Sequence, residues 1–306
     1  MDLSVVIVSW NCRLELLDCL DSIIRHACNG TYEIIVVDNA SGDGAVEAVH
    51  SRFPDVRVLE AGANRGFAQA ANLGLKAARG AYLLFLNPDT LVPPGALDAA
   101  LGALQSQQEV GILGAQLLNP DGSPQPSCGH FLSLPALVWS NAWRFVSGAQ
   151  AIRRAGGGRL WTGTAVEEAD WLVGAFLLCR RAVLEAIGGF DEDYFLYAED
   201  MDLCYRVRQH GYRVLYFPAV AVIHHSNCSG ARKWAERREG EIVRSELLFL
   251  RKHSGRLAAF AFRLLGGGLF FCKGLKFWLR AQRQAPHYWV EARRYWHMTK
   301  VCAGWE

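Results

Sequence analysis

The stretch GAYLLFLNPDT, residues 80–90, decides the fold. Tyr82 to Leu86 is an unbroken apolar run between a glycine and a proline, the pattern of a strand buried on both faces. Asn87-Pro88-Asp89 ends it, because proline has no N–H to give a ladder and Asn-Pro opens a turn. A carboxylate, Asp89, therefore stands just past the carboxyl end of a central strand, where open α/β sheets bind their ligands. A hard oxygen ligand there suits a divalent cation holding phosphates. The plainer alternative is that Asp89 only terminates the strand or caps the next element, a common use of aspartate.

Upstream, strands and helices alternate. LSVVIVS (3–9), YEIIVV (32–37) and 56–59 read as strands; Leu14, Leu17, Leu20 and Ile24 recur at helical spacing, and a second helix runs from Phe67 to a stop at Gly80. Short loops between alternating elements predict a mainly parallel sheet with helices on its faces. The first turn, Ser9-Trp10-Asn11-Cys12-Arg13, has neither the GxGxxG of dinucleotide folds nor the glycines of a P-loop. Polar residues instead collect after successive strands: Asn11, Asp38, then Asn64-Arg65-Gly66, then Asn87 and Asp89. All fall at one edge of the sheet. Asp38 is suited to accept from a base or ribose, Arg65 to meet a phosphate, and Gly66 to admit close backbone approach. Each alone is ordinary loop chemistry; their recurrence points to a site.

Downstream, Ile112 to Leu118 reads as a strand and Asn119-Pro120-Asp121-Gly122 as a turn. Residues 123–168 read as an irregular insertion, with Trp139, Trp143, Trp161 and three glycines at 156–158. Trp171 to Cys179 reads as one buried strand in which Gly174 permits close approach by a ligand or another backbone. A helix over 200–210 places Glu199, Asp200 and Asp202 at its amino end, where the helix dipole favours carboxylates, and Asp202 can pair with Arg206. Capping does not account for three carboxylates in four residues, whose repulsion is unfavourable. Asp200 is therefore assigned to function and Asp202 to structure. Residues 213–217 and 219–223 read as two short strands split by Pro218, followed by His224-His225. If a histidine folds back beside Asp89 it becomes a metal or phosphate ligand.

Composition bounds the rest. The 306 residues suffice for one large domain, or for one domain with an appendage, and nine cysteines without a CxxC pair read as reduced thiols rather than a zinc site. Met1-Asp2 runs straight into a strand, so no signal peptide is expected. The net charge of +2 conceals an asymmetry: residues 1–230 carry 16 Lys/Arg against 24 Asp/Glu, and residues 231–306 carry 16 against 6. The two parts are expected to meet different surroundings.

Taken together, VVIVSWN (5–11), VVDNASGD (36–43), NRGFAQAANLGL (64–75), LLFLNPDT (83–90), GAFLLCRR (174–181), GGFDEDYFLYAEDMDLCYR (188–206) and the His224 segment resemble the inverting nucleotide-sugar glycosyltransferases of family 2, most of all the rhamnosyltransferase-type branch. The resemblance covers about residues 3–230. It implies a GT-A fold, a Rossmann-like mixed and mainly parallel sheet flanked by helices. It implies a donor-nucleotide site at Ser9, Trp10, Asn11, Asp38, Asn39, Asn64, Arg65, Gly66 and Asn87. It implies an acceptor side at Trp171, Gly174 and Ala175, a catalytic base at Asp200 with Glu199 beside it, and Mg²⁺ or Mn²⁺ at Asp89 and His224. Asn87-Pro88-Asp89 stands at the family's DxD motif, with an amide where the first acid is usual. The implied partners are a nucleoside diphosphate sugar and a saccharide or polyprenyl-linked acceptor in envelope glycan synthesis; no nucleic acid is expected.

Residues 231–306 form a basic tail. Residues 257–279 are rich in Leu and Phe but are interrupted by Arg263, Lys273, Lys276 and glycines 266–268, which favours a helix lying in a membrane plane with snorkelling cations over one that crosses. A cytoplasmic enzyme peripheral to the anionic inner leaflet is one expectation. A helix covering the catalytic domain or a dimer contact is the other. A nucleotidyltransferase would share the sheet edge, but its usual basic phosphate loop after the first strand is absent. A non-catalytic sugar- or membrane-binding protein would leave residues 199–202 without a task.

Overall fold

A computed structural model describes residues 1–133, 163–226, 238–283 and 288–305. The readings placed on Trp139, Trp143, Trp161, glycines 156–158 and the 230/231 boundary lie outside the described residues. The elements in order are β1 (Leu3–Ser9), α1 (Arg13–Arg25), β2 (Tyr32–Asp38), α2 (Ala45–Arg52), β3 (Arg57–Glu60), α3 (Phe67–Ala77), β4 (Tyr82–Leu86), β5 (Thr90–Leu91), α4 (Ala96–Gln105) and β6 (Val110–Leu118). They continue with β7 (Pro124–Gln125), β8 (Cys128–Gly129), β9 (Glu167–Glu168), β10 (Trp171–Leu172), β11 (Phe176–Arg180), α5 (Arg181–Ile187), α6 (Glu199–Gln209), β12 (Arg213–His224), α7 (Arg238–His253), α8 (Arg256–Arg283) and α9 (Tyr288–Ala303).

Two compact units are present. The described part of the first comprises residues 1–129, 163–195 and 199–226; that of the second comprises 130–133, 196–198, 238–283 and 288–305. The first is built on a sheet in the order β3-β2-β1-β4-β11-β6-β12-β5. Strands β3, β2, β1 and β4 are mutually parallel; β11 is inserted antiparallel between β4 and β6. The sheet is thus mixed.

Why these runs become interior strands is visible in their side-chain alternation. Along β4, Leu84 and Leu86 face one apolar cluster while Leu83 and Phe85 face the other; in β1, Val5 and Ile7 oppose Val6 in the same way. A run that must satisfy two cores cannot alternate with polar residues, which is why Tyr82 to Leu86 is apolar throughout. Each such Leu or Phe, fully buried, contributes about 1.5–3 kcal/mol. The edge strand β3, only half-buried, carries Arg57 and Glu60 instead.

Two strand expectations need correction. The run 171–179 is not one strand: it breaks into β10 and β11 around Gly174, whose N–H leaves the ladder for the Asp200 carboxylate. Pro218 does not split 213–223: β12 is continuous, and the register shift between Phe217 and Ala221 absorbs the missing donor as a bulge. Part of the stretch read as irregular also holds short strands, β7, β8 and β9.

In the second unit, glycines 266–268 do not interrupt α8, which runs for 28 residues. A Cβ on Gly267 would meet Cys302 at 3.1 Å and one on Gly274 would meet Trp296 at 2.5 Å, so these glycines let α9 lie close. Lys273 does not snorkel outward either; it is buried, with its ammonium over the Tyr295 ring.

Candidate active site

The carboxyl edge of the sheet gathers three groups of polar residues. The first surrounds the ends of β1 and β2. Asn11, with φ 52°, takes the Gly42 N–H on Oδ1 at 2.9 Å and gives its own N–H to Ser41. Asn39 donates its N–H to the Ser9 carbonyl, its side chain donates to Asn64 Oδ1 and the Gly66 carbonyl, and its Oδ1 accepts from the Arg65 N–H. Asn39 therefore shapes the 64–66 loop. Ser9 is fully buried with its hydroxyl on the Cys12 sulfur, and Trp10 is half-buried in the same turn. Asp38 is different: Oδ2 accepts from the Ser41 N–H, while Oδ1 is buried with no hydrogen-bond partner among the described residues. An acceptor left this way costs about 1–3 kcal/mol unless a ligand donates to it. The Arg65 side chain is exposed. The close approach that Gly66 permits, at φ 85°, is to the Phe195 backbone, where a Cβ would come within 2.3 Å of the carbonyl oxygen.

The second group stands at the end of β4. Antiparallel pairing of β12 with β5 sets His224 opposite Thr90, and the His225 N–H bonds the Asp89 carbonyl. This brings His224, rather than His225, to the acid: Nε2 lies 3.4 Å from Asp89 Oδ1 and 3.3 Å from Asn87 Nδ2. Asp89 is only 5% exposed.

The third group is at the start of α6. Asp200 Oδ2 accepts from the Gly174 N–H at 2.9 Å and Oδ1 from the Met201 N–H at 2.8 Å. Desolvation pushes this half-buried carboxyl up to about 6, with the two N–H bonds opposing the rise. Glu199 is more deeply buried, its Oε2 without a partner among the described residues; burial first, and the Asp200 charge second, raise it well above the usual carboxylate range. Tyr197 and Ala198 just before it both have positive φ, 69° and 62°, a conformation unfavourable for residues with a Cβ. Asp202 lies apart in function: fully buried, it pairs with Arg206 at 2.6 Å.

The second and third groups are joined through consecutive residues. The Ala175 carbonyl accepts the Asn87 N–H at 3.1 Å, and the neighbouring Gly174 N–H holds Asp200. A Cβ on Gly174 would sit 3.3 Å from Asp200 Oδ2, a tight approach that would push the carboxylate by a few tenths of an ångström. The indole of Trp171 lies over Gly129 on the adjoining ribbon. A surface cavity of about 510 Å³, lined by Arg13, Gly44, Glu47 and Arg52, contains none of these groups.

Two contributors escaped the sequence. Asn72, a buried amide on the alanine-lined face of α3, donates to the Phe190 carbonyl and Glu192 and accepts from the Phe190 N–H, anchoring the segment that leads to Glu199. Its signal was a polar residue at a core position of an amphipathic helix. Gln125 lies against His224 and sits in a stretch with no periodicity to mark it.

Comparisons place this arrangement. Residues 2–240 match the family described as glycosyltransferase like family 2. The N-acetylglucosaminyl-diphospho-decaprenol L-rhamnosyltransferase of Mycobacterium tuberculosis is 32% identical over 246 residues, covering 72% of this chain and 76% of the relative. The O-antigen biosynthesis protein RfbC of Myxococcus xanthus is 31% identical over 230 residues, 73% of this chain but 17% of the relative. Among solved structures, the Pyrobaculum calidifontis mannosyltransferase PcManGT, in complex with GDP-Man and Mn²⁺, superposes with a TM-score of 0.58 at 20% identity, covering 99% of this chain and 86% of that one. Residues 1–349 of S. aureus TarS give 0.55 at 16% identity, covering 100% and 91%. The fold is therefore the GT-A architecture, and the chain belongs to glycosyltransferase family 2.

Proposed function

We propose that this protein is an inverting glycosyltransferase that moves a sugar from a nucleoside diphosphate donor to a hydroxyl of a polyprenyl-linked saccharide in envelope glycan synthesis. Rhamnose is the sugar favoured by the likeness to the mycobacterial relative. One observation carries the reading: Asn87 and Asp200 are tied to adjacent residues, Ala175 and Gly174, so a diphosphate corner and a base corner share one edge.

In this reading Asp38 Oδ1 accepts from the donor's base or ribose, and the loop Asn64-Arg65-Gly66, braced by Asn39, meets the phosphates. Asp200 takes the proton of the acceptor hydroxyl as its oxygen attacks the anomeric carbon from the face opposite the leaving diphosphate. The sugar–oxygen bond to the diphosphate breaks in the same displacement, so the centre inverts and no enzyme nucleophile is needed. Burial first and the Asp200 charge second raise Glu199 above the usual carboxylate range, which disfavours a second negative charge beside the base.

Asp89 and His224 would hold a divalent cation. Among the described residues no three His, Cys, Asp or Glu side chains cluster as a closed metal cage. The buried Asp89 carboxylate suits Mg²⁺ or Mn²⁺, which complete their shells with substrate phosphates and water. Bound there, such an ion supplies charge neutralisation to the departing diphosphate.

The tail belongs to the same reading as an anionic-membrane contact. Among the described helices α8 alone is long and apolar enough, by length and composition, to cross a bilayer. Its exposed side chains Leu257, Phe260, Leu264, Phe271, Leu275 and Leu279 follow helical spacing, and exposed Arg256, Arg263 and Arg280 accompany them. An apolar stripe flanked by cations matches an anionic phospholipid surface.

The test is a thermal-shift panel of nucleoside diphosphate sugars with and without Mn²⁺. Binding at 100 times Kd adds about 2.7 kcal/mol to stability. One donor should raise Tm, more so with Mn²⁺, and turnover should release a nucleoside diphosphate. Release of inorganic diphosphate, or no shift with any donor, would refute the reading.

A further inference from the structure

We propose that Gln125 is a positioning residue that fixes His224 in the tautomer carrying its proton on Nδ1, so that the Nε2 lone pair faces Asp89 and Asn87. The inference rests on the reading of that corner as the diphosphate and cation site.

The orientation comes from a chain of donors and acceptors. The Asn119 amide nitrogen donates to the Ser123 carbonyl, an atom that only accepts, and this leaves Asn119 Oδ1 facing Gln125. Gln125 Nε2 spends both hydrogens on acceptors, Asn119 Oδ1 at 2.9 Å and the His224 carbonyl at 2.5 Å. The opposite end of the amide, Oε1, is therefore turned to His224 Nδ1 at 3.0 Å. An amide oxygen cannot donate, so Nδ1 must. The Ser226 hydroxyl, 3.3 Å from Oε1 and 3.2 Å from Nδ1, donates to the oxygen and leaves the Nδ1 proton in place.

In the neutral ring a proton on Nδ1 leaves Nε2 bare. The Asn87 amide, 3.3 Å away, can donate to it, whereas Asp89 Oδ1, 3.4 Å away, cannot, so two acceptors face each other there as they would across a shared cation. The amide in the place of the motif's first acid thus supplies a donor to Nε2. Gln125 is only 8% exposed and its partners come from the turn after β6 and the end of β12, so the orientation is built into the fold. Histidines that bind metals are commonly oriented in this way by a hydrogen bond on the other ring nitrogen, and loss of that partner costs about 10–100-fold in metal affinity.

The test uses the full chain, metal-free, with ¹⁵N-histidine labelling. The His224 resonances, assigned by their loss in His224→Gln, should show the Nδ1–H tautomer at neutral pH. A Nε2–H tautomer or an imidazolium would overturn the proposal, and this measurement needs no variant at 125. Gln125→Leu should lose the tautomer preference and weaken Mn²⁺ binding, measured by titration, about 10–100-fold. A Gln125→Leu protein with unchanged tautomer and Mn²⁺ affinity would also overturn it. The correct tautomer in a wild-type protein that binds no Mn²⁺ supports the role of Gln125 and refutes the cation reading alone.

Discussion

The corner at Asp89 and the corner at Asp200 both place an aspartate at the end of a secondary-structure element, yet the protein treats the two acids in opposite ways. Asp200 is surrounded by the protein's own donors: two backbone N–H groups take both oxygens, and burial lifts its affinity for a proton to about 6. Asp89 is set beside an imidazole nitrogen, itself aligned by a buried amide. The first arrangement makes a carboxylate that can exchange a proton near neutral pH; the second, in the proposed reading, makes a corner for a cation. Burial alone does not distinguish a base from a ligand.

The sharpest way to break this contrast is Asp200→Asn. Transfer should fall about 10²–10⁴-fold while donor binding, read by thermal shift, is kept. Undiminished turnover would remove Asp200 from its role. Asp89→Asn should show the reverse pattern, with Mn²⁺-dependent donor binding lost and kcat down about 10²–10³-fold. Gly174→Ala probes the joint between the corners. The added methyl comes within 3.3 Å of Asp200 Oδ2, and a loss of about 10-fold in kcat, with both donor KM and acceptor KM altered, is expected.

The pH profile sharpens the same contrast. The base works deprotonated, so kcat/KM should be level above a midpoint of about 6 and fall tenfold per pH unit below it. The Asp200→Asn protein should lose this limb. The smallest effect belongs to Glu199→Gln. With the folded Glu199 held above the ordinary carboxylate range, its contribution to stability is fully present at low pH and is lost as pH rises through the folded value. The Tm of the wild type should therefore drop relative to Glu199→Gln as pH rises above the ordinary glutamate range. A constant gap would show that Glu199 ionises normally.

Much of this was legible in the residues because it rested on patterns that one segment carries alone. Tyr82 to Leu86 had to be an interior strand, since no half-exposed strand is apolar at every position, and Glu199 to Asp202 held more charge than a helix start requires. What stayed hidden depended on partners distant in the chain. Nothing near Gly174 announces that its N–H is pledged to Asp200, so 171–179 read as one strand. Pro218 looked like a break because its bulge needs the partner strand β6 to be seen. Gln125 had no periodic context, and its meaning comes from His224, far along the chain. The choice between His224 and His225 was likewise settled by strand pairing rather than by composition.

The break in the ladder at Gly174 has a consequence for anyone altering specificity. Because the consecutive residues Gly174 and Ala175 hold Asp200 and Asn87, a backbone shift there moves both at once, and in the proposed reading these are the supports of both reactants. Donor preference and acceptor preference can be tuned independently only through side chains that approach the cleft from elsewhere, such as the 64–66 loop. Natural variation in this spacing should be confined to changes that preserve the distance between the leaving group and the attacking alcohol.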